Sequence, residues 1–108
     1  MPRFVVQKHV ARTLYDDFRL EKDSVFKNWV VSKGIPDKVG VRRLAVQADD
    51  HNLAMGEFAG AGTIEILDRG TYRCTEWTDD RISVGLKGLG KSVTSASYDS
   101  WLRTHTFQ

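Results

Sequence analysis

Short runs rich in Val, Ile, Phe, Tyr and Trp recur along the chain, broken by Gly, Pro, Asp and Ser. Runs of that length and composition read as β-strands. The first is Phe4 to Lys8. The second, Tyr15 to Lys22, alternates: Asp16, Phe18 and Leu20 share one face, and Tyr15, Asp17, Arg19 and Glu21 share the other. A short turn around Asp23-Ser24 leads into a third run, Val25 to Ser32, which Lys33-Gly34-Ile35-Pro36-Asp37 ends. Val41 to Ala48 is a fourth run and Thr63 to Leu67 a fifth. Asp68-Arg69-Gly70 has the composition of a hairpin turn into Thr71 to Trp77, and Arg81 to Leu86 makes a seventh. In the tail, Tyr98, Trp101 and Leu102 stand at i, i+3 and i+4, which suits a short helix capped by Thr94 or Ser95. A last strand over Ser100 to Thr104 fits equally well.

This spacing predicts an all-β, mainly antiparallel fold: a compact closed or nearly closed β-barrel of seven or eight short strands with at most one or two short helices. No long helical segment alternates with the strands, which argues against a parallel βαβ sheet. With 108 residues and no repeat, low-complexity tract or linker, a single domain spanning 1–108 is expected.

Composition narrows the class. Hydrophobic residues make up 41% and charged residues 28%, which excludes a disordered chain. No apolar run approaches the roughly 20 residues that span a bilayer. Met1 to Phe4 leads straight into a strand-like run without the pattern of a signal peptide, so a cytoplasmic protein with no membrane contact is expected. Cys74 is the only cysteine, which rules out an intrachain disulfide and a cysteine metal cluster. The net charge of +2 is unevenly spread. Residues 1–48 carry ten Lys/Arg against five Asp/Glu, residues 49–80 two against eight, and residues 81–108 four against one. A basic first half could face phosphates, and an ordinary solvated surface accounts for it equally.

Gly85, Gly90, Lys91 and Ser92 spell the phosphate-cradling loop of P-loop NTPases, G-x-x-x-x-G-K-S. The context excludes it. Such a loop opens a helix inside a parallel sheet, and only 16 residues follow Ser92. A glycine-rich β-turn beside a lysine is the expected reading.

The stretch that carries chemistry is Gln7-Lys8-His9-x-Ala11-x-x-Leu14-Tyr15-Asp16-Asp17-Phe18-Arg19-Leu20-Glu21. It presents an imidazole and then a carboxylate, a guanidinium and a carboxylate on alternate residues of one strand face. His9 and Asp17 could share a divalent metal, since imidazole and carboxylate both suit manganese or zinc. Arg19 beside them could hold an anion, because its fork matches phosphate oxygens. From these residues alone, a structural Asp–Arg pair with a separate histidine fits as well.

The same stretch resembles the opening motif of the 3′-phosphoesterase domain of bacterial ligase D proteins, Q-K-H-x-A-x-x-L-H-Y-D-F-R-L-E. The resemblance continues in order along the chain. Asn28-Trp29-Val30-Val31-Ser32-Lys33-Gly34 is similar to the family's S-W-A-V-P-K-G, and Arg43 to His51 to its R-L-A-V-x-x-E-D-H. Gly60 to Tyr72 is similar to its G-A-G-x-V-x-I-W-D-x-G-T-Y. The resemblance implies a compact β-barrel with a small helix. It also implies manganese-dependent trimming of DNA 3′ ends, in which a terminal ribonucleotide and then the 3′-phosphate are removed to leave a 3′-OH for a ligase.

Carried over position by position, the resemblance makes His9 and Asp17 metal ligands for Mn2+ or another divalent ion. It makes Arg19, Lys33 and His51 phosphate-binding residues, with His51 able to protonate a leaving group. All five count as candidate catalytic residues, and the implied partners are nucleic-acid 3′ ends and a DNA ligase or polymerase. The chain also departs from the pattern. Tyr15 replaces a metal-binding histidine, and a phenol is a poor ligand at neutral pH. Asp16 is next door, but strand alternation points it to the opposite face. Met55 stands where the family commonly has tyrosine, Asn28 replaces serine and Asp49 replaces glutamate. The loop before Gly60 is shorter, and the family's longer N-terminal arm has no counterpart before Phe4. Two functions follow: a metal-dependent phosphoesterase with a weakly held metal, or an inactive relative that binds nucleic-acid ends or a repair protein.

Overall fold

The computed structural model describes the backbone of residues 2–10, 14–35, 42–52, 63–88, 95–99 and 104–107, and side chains within 2–8, 15–35, 42–50 and 65–88. The described strands are β1 (Arg3–Val10), β2 (Leu14–Lys22), β3 (Val25–Val31), β4 (Arg42–Asn52), β5 (Thr63–Trp77), β6 (Arg81–Gly88), β7 (Ser95–Asp99) and β8 (Thr104–Phe107). No helix occurs among the described residues. Every ladder is antiparallel. Together they make one curled sheet in which β1, β2, β3 and β4 follow one another and β5 flanks β1 on its other side.

The β2–β3 turn forms where the sequence places it. Asp23 and Ser24 both have positive φ, 54° and 67°. A two-residue hairpin takes that backbone because its twist matches the strands it joins. The turn fixes the register, so Lys22 faces Val25, Arg19 faces Asn28 and Asp17 faces Val30. Because successive side chains alternate, residues opposite one another share a face.

The hydrophobic core lies against the face of β2 that carries Phe18 and Leu20. Phe4, Val6, Trp29, Val31, Ala45, Tyr72, Ile82, Val84 and Leu86 complete it. Trp29 is fully buried, and its ring meets Trp77 edge-on at 6.4 Å and 61°. That geometry suits two aromatic quadrupoles. Tyr72 buries its ring and donates its hydroxyl hydrogen to the carbonyl of Glu21, which ties β5 to the end of β2.

Two expectations are overturned. Asp68-Arg69-Gly70 is not a hairpin turn but lies inside the 15-residue strand β5. These residues mark the place where β5 changes partners. Its first part pairs with β1 through Thr71, its last part pairs with β6 from Gly70 onward, and the β1 ladder slips register between Val6 and Gln7. At Gly70 a Cβ would fall 1.9 Å from the Lys87 carbonyl oxygen, so only glycine allows β6 to approach this closely. The Asp68 carboxylate sits against Gly88 and accepts a hydrogen bond from Arg69 N at 2.8 Å. Glycine and aspartate here serve a bulge and a crossing rather than a reversal.

The tail helix is overturned as well. Tyr98 lies in β7, opposite Ile82 of β6 and His105 of β8. The strand expected over Ser100 to Thr104 meets β8 (Thr104–Phe107) at Thr104, and residues 100–103 lie outside the described residues. At Tyr98, pairing on both sides outweighs the helical spacing; Trp101 and Leu102 lie outside the described residues. The G-K-S string begins in a strand: Gly85 to Gly88 belong to β6, and residues 89–94 lie outside the described residues.

Candidate functional site

The face of β2 opposite the core is polar, and its centre is as buried as the core while Tyr15 and Glu21 at its ends are partly exposed. Asp17 is 3% exposed and Arg19 1%. Gln7 of β1 stands opposite Asp17, and Asn28 of β3 opposite Arg19; both are buried. Arg19 lies between two oxygens. Its Nη2 donates to Asp17 Oδ2 and its Nε donates to Asn28 Oδ1, each at 3.4 Å. The guanidinium is thus held edge-on between the carboxylate of its own strand and the amide of the next. Burial pushes the Arg19 pKa below its ordinary value, and the charge and hydrogen bond of Asp17 offset part of that, with Tyr15 adding a smaller upward pull.

A charge-assisted N–H···O bond is typically about 2.7–2.9 Å long. The Asp17–Arg19 separation of 3.4 Å is longer, so this is not a closed bidentate fork. A buried carboxylate is a hard oxygen donor of the kind manganese or magnesium takes. In that respect the Asp17 carboxylate suits a divalent cation. Among the described residues, no three or more His, Cys, Asp or Glu side chains gather as a metal site.

The histidines enter only through their backbones. His9 lies in β1 opposite Tyr15, two residues along from Gln7, and His51 lies in β4 opposite Phe26. The ladder between β3 and β4 slips between Phe26 and Asn28, so a bulge adjoins the Arg19–Asn28 row. The side chains of His9 and His51 lie outside the described residues, as does Met55. Tyr15 is half-buried on β2.

Lys33 is exposed on the turn that follows β3. Gly34 N donates to the Val31 carbonyl at 3.1 Å and closes that turn, with Gly34 at φ +80°. Asp16 points away from Asp17, as strand alternation predicts. Its Oδ2 accepts a hydrogen bond from Ile35 N at 2.7 Å. Asp49 is exposed, and its neighbour Asp50 binds Lys27 Nζ at 2.9 Å.

A model of the DNA ligase D 3′-phosphoesterase domain matches residues 7–94. The chain belongs to that family. It is 44% identical over 105 residues to the multifunctional non-homologous end joining protein LigD of Pseudomonas aeruginosa, a match covering 90% of this chain and 12% of that protein. It is 41% identical over 85 residues to the LigD of Mycobacterium bovis, covering 71% of this chain and 11% of that protein. The LigD of Mycolicibacterium smegmatis is 39% identical over 79 residues, 65% of this chain and 10% of that protein. The chain therefore spans about a tenth of the length of the LigD proteins it matches. Among the described residues, no helix is long and apolar enough to cross a membrane.

Within this 3′-phosphoesterase-family chain, the described residues bring Asp17 and Arg19 together and put Lys33 on the turn after β3. Asn28 and Gln7 were not given roles from the sequence. The signal for Asn28 was within reach: counting outward from the two-residue turn at Asp23-Ser24 sets Arg19 opposite Asn28. Gln7 needs the β1–β2 register, which the intervening residues 11–13 do not reveal.

Proposed function

We propose that residues 1–108 form a single 3′-phosphoesterase-like domain that processes DNA 3′ ends in repair by end joining. In this reading His9 and Asp17 hold Mn2+ or another divalent ion, and Arg19, Lys33 and His51 grip the scissile phosphate. The ion would polarise a phosphate oxygen and lower the pKa of a bound water. Arg19, oriented by Asp17 and Asn28, would present its guanidinium charge to the phosphate in a fixed orientation. Phosphoryl transfer asks mainly for fixed positive charge and in-line placement. The product would be a 3′-OH, made by removing a terminal ribonucleotide and then the 3′-phosphate, for use by a ligase or polymerase. The sheet closes into a barrel in this picture. The cyclic order β1-β2-β3-β4-β8-β7-β6-β5 supports that closure, and a DNA substrate implies a cytoplasmic location.

The observation that carries this reading is the buried Asp17–Arg19 pair on the strand that bears the family motif. A buried ion pair is a weak route to stability, so its presence suits chemistry better than scaffolding. One observation favours a second reading: Tyr15 stands where the family motif has a metal-binding histidine. A chain without that imidazole could bind 3′ ends, or a repair protein, without turning them over.

One experiment separates the two. The protein is incubated with Mn2+ and a primer–template ending in a 3′-phosphate, alongside His9→Ala and Asp17→Ala. Turnover lost in both variants supports the phosphoesterase. Absent turnover with retained binding of the DNA end supports the binding module. Tyr15→His is expected to tighten metal binding and raise activity, and an unchanged metal affinity counts against placing the metal there.

A further inference from the structure

Asp16 and Asp17 are adjacent in β2, point to opposite faces, and each meets a different part of the site. Asp17 binds Arg19 directly. Asp16 is 6% exposed, and its Oδ2 accepts from Ile35 N at 2.7 Å, two residues past Lys33. The same oxygen backs onto Gly34, where a Cβ would lie 3.2 Å away. Gly34, at φ +80°, and Ile35, packed against the hydrophobic core, thus lie on the carboxylate that β2 supplies. Among the described residues, the only backbone–backbone hydrogen bond inside this turn is Gly34 N to Val31 O.

We infer that Asp16 is a positioning residue: by holding the backbone of Gly34-Ile35 it fixes where Lys33 stands, and so sets the grip of that lysine on a DNA 3′-phosphate. This inference rests on the proposed phosphate-binding role of Lys33 and adds the residue that orients it. A lysine side chain is long and flexible, so the point from which it reaches is set by its own Cα. Among the described residues, the turn that carries that Cα is held to the sheet by the Gly34 N to Val31 O bond, the Asp16 carboxylate and the packing of Ile35 on the core. The family motif has tyrosine at this place, so the tie belongs to this chain and is no part of the shared metal centre. One short segment of β2 thereby sets two cations, Arg19 through Asp17 and Lys33 through Asp16.

The test measures binding of a 3′-phosphorylated oligonucleotide relative to the same oligonucleotide with a 3′-OH, in EDTA so that no metal contributes. The variants are Asp16→Ala, Asp16→Asn, Lys33→Ala and the Asp16→Ala/Lys33→Ala double variant. Amide hydrogen exchange at Ile35 is followed in each. Losing one backbone tie is expected to cut the 3′-phosphate preference about fivefold in Asp16→Ala, the worth of one ordinary hydrogen bond. Asp16→Asn keeps an accepting oxygen and is expected to retain most of the preference; if Asp16→Ala does not fold, Asp16→Leu, which fills the site without an acceptor, takes its place in the comparison. Asp16→Ala should add nothing further once Lys33 is gone, since the two act through one contact. Exchange at Ile35 should change little in Asp16→Asn and accelerate where the accepting oxygen is lost, in Asp16→Ala and the double variant. Unchanged exchange in those two overturns the tie. Accelerated exchange with losses that simply add overturns the positioning role and leaves the proposed phosphate grip standing. Full preference in Lys33→Ala removes Lys33 from the proposed site, and this inference with it.

Discussion

On one face of β2, Phe18 and Leu20 meet Phe4, Val6, Trp29 and Val31; on the other, Asp17 and Arg19 meet Gln7 and Asn28. Exposure does not separate the two sides, because Phe18 and Arg19 are each 1% exposed. The apolar side gains about 25 cal/mol for every Å² withdrawn from water, and that gain is indifferent to direction. The polar side loses hydration of two charges and regains it only through contacts of good geometry. Its Asp17–Arg19 contact is long at 3.4 Å, and burial still draws the Arg19 pKa down despite its partner. One strand therefore carries the stability of the fold on one side and a costly, oriented pair of charges on the other.

Four measurements sharpen or break this contrast. The largest effect belongs to the apolar side. Trp29→Ala removes a fully buried ring and its edge-on partner, and should lower unfolding stability by about 3–5 kcal/mol in denaturant titration. Next, Asp17→Ala strands a buried guanidinium and should cost about 3 kcal/mol, at the lower end for broken buried pairs because the contact is long. Replacing both partners, Asp17→Leu with Arg19→Met, should bring stability back to within about 1 kcal/mol of the parent while abolishing the proposed 3′-phosphate recognition. A double variant as unstable as Asp17→Ala would show that the pair supports the fold, and the contrast between the faces would collapse.

The third measurement concerns pH. The Tyr72 hydroxyl is pushed up to about 12 from its ordinary 10.0, first by burial and then by Cys74, Glu21 and Asp23. Between those values the folded chain keeps a proton that the unfolded chain has released. The contribution is therefore fully present below pH 10 and is lost as pH rises through about 12, a change on the order of 2 kcal/mol. Tyr72→Phe should flatten that part of the stability profile. The smallest effect is expected at the hairpin: Ser24→Gly relieves a positive φ and should add about 1 kcal/mol of stability, with no change in the proposed DNA binding.

Much of the fold was legible because local pattern and tertiary pairing agree. Alternation in β2, the turn at Asp23-Ser24 and the start of β6 at Arg81 stand where the pattern puts them. The pattern misled where side chains serve a long-range contact. Gly70 is small because a carbonyl of β6 crosses it, and Gly88 is small because the Asp68 carboxylate fills the space of its Cβ; neither cause is visible within three residues of sequence. The site divides in the same way. Asp17 and Arg19 could be read from one strand. Asn28 needed the register across a turn, and the hold of Asp16 on Ile35 needed the chain to leave β3 and return alongside β2. A carboxylate on the core side of a strand looks like an error until its distant backbone partner is known.

The continuity of β5 has a practical consequence for engineering. A strand shared by two ladders acts as a common spine, so cutting it releases both at once. An affinity tag or protease site introduced at Arg69, in what resembles a loop, should destroy solubility. The same insertion at Asp79-Asp80 falls in an exposed reversal closed by Thr78 and Arg81, and the domain should tolerate it.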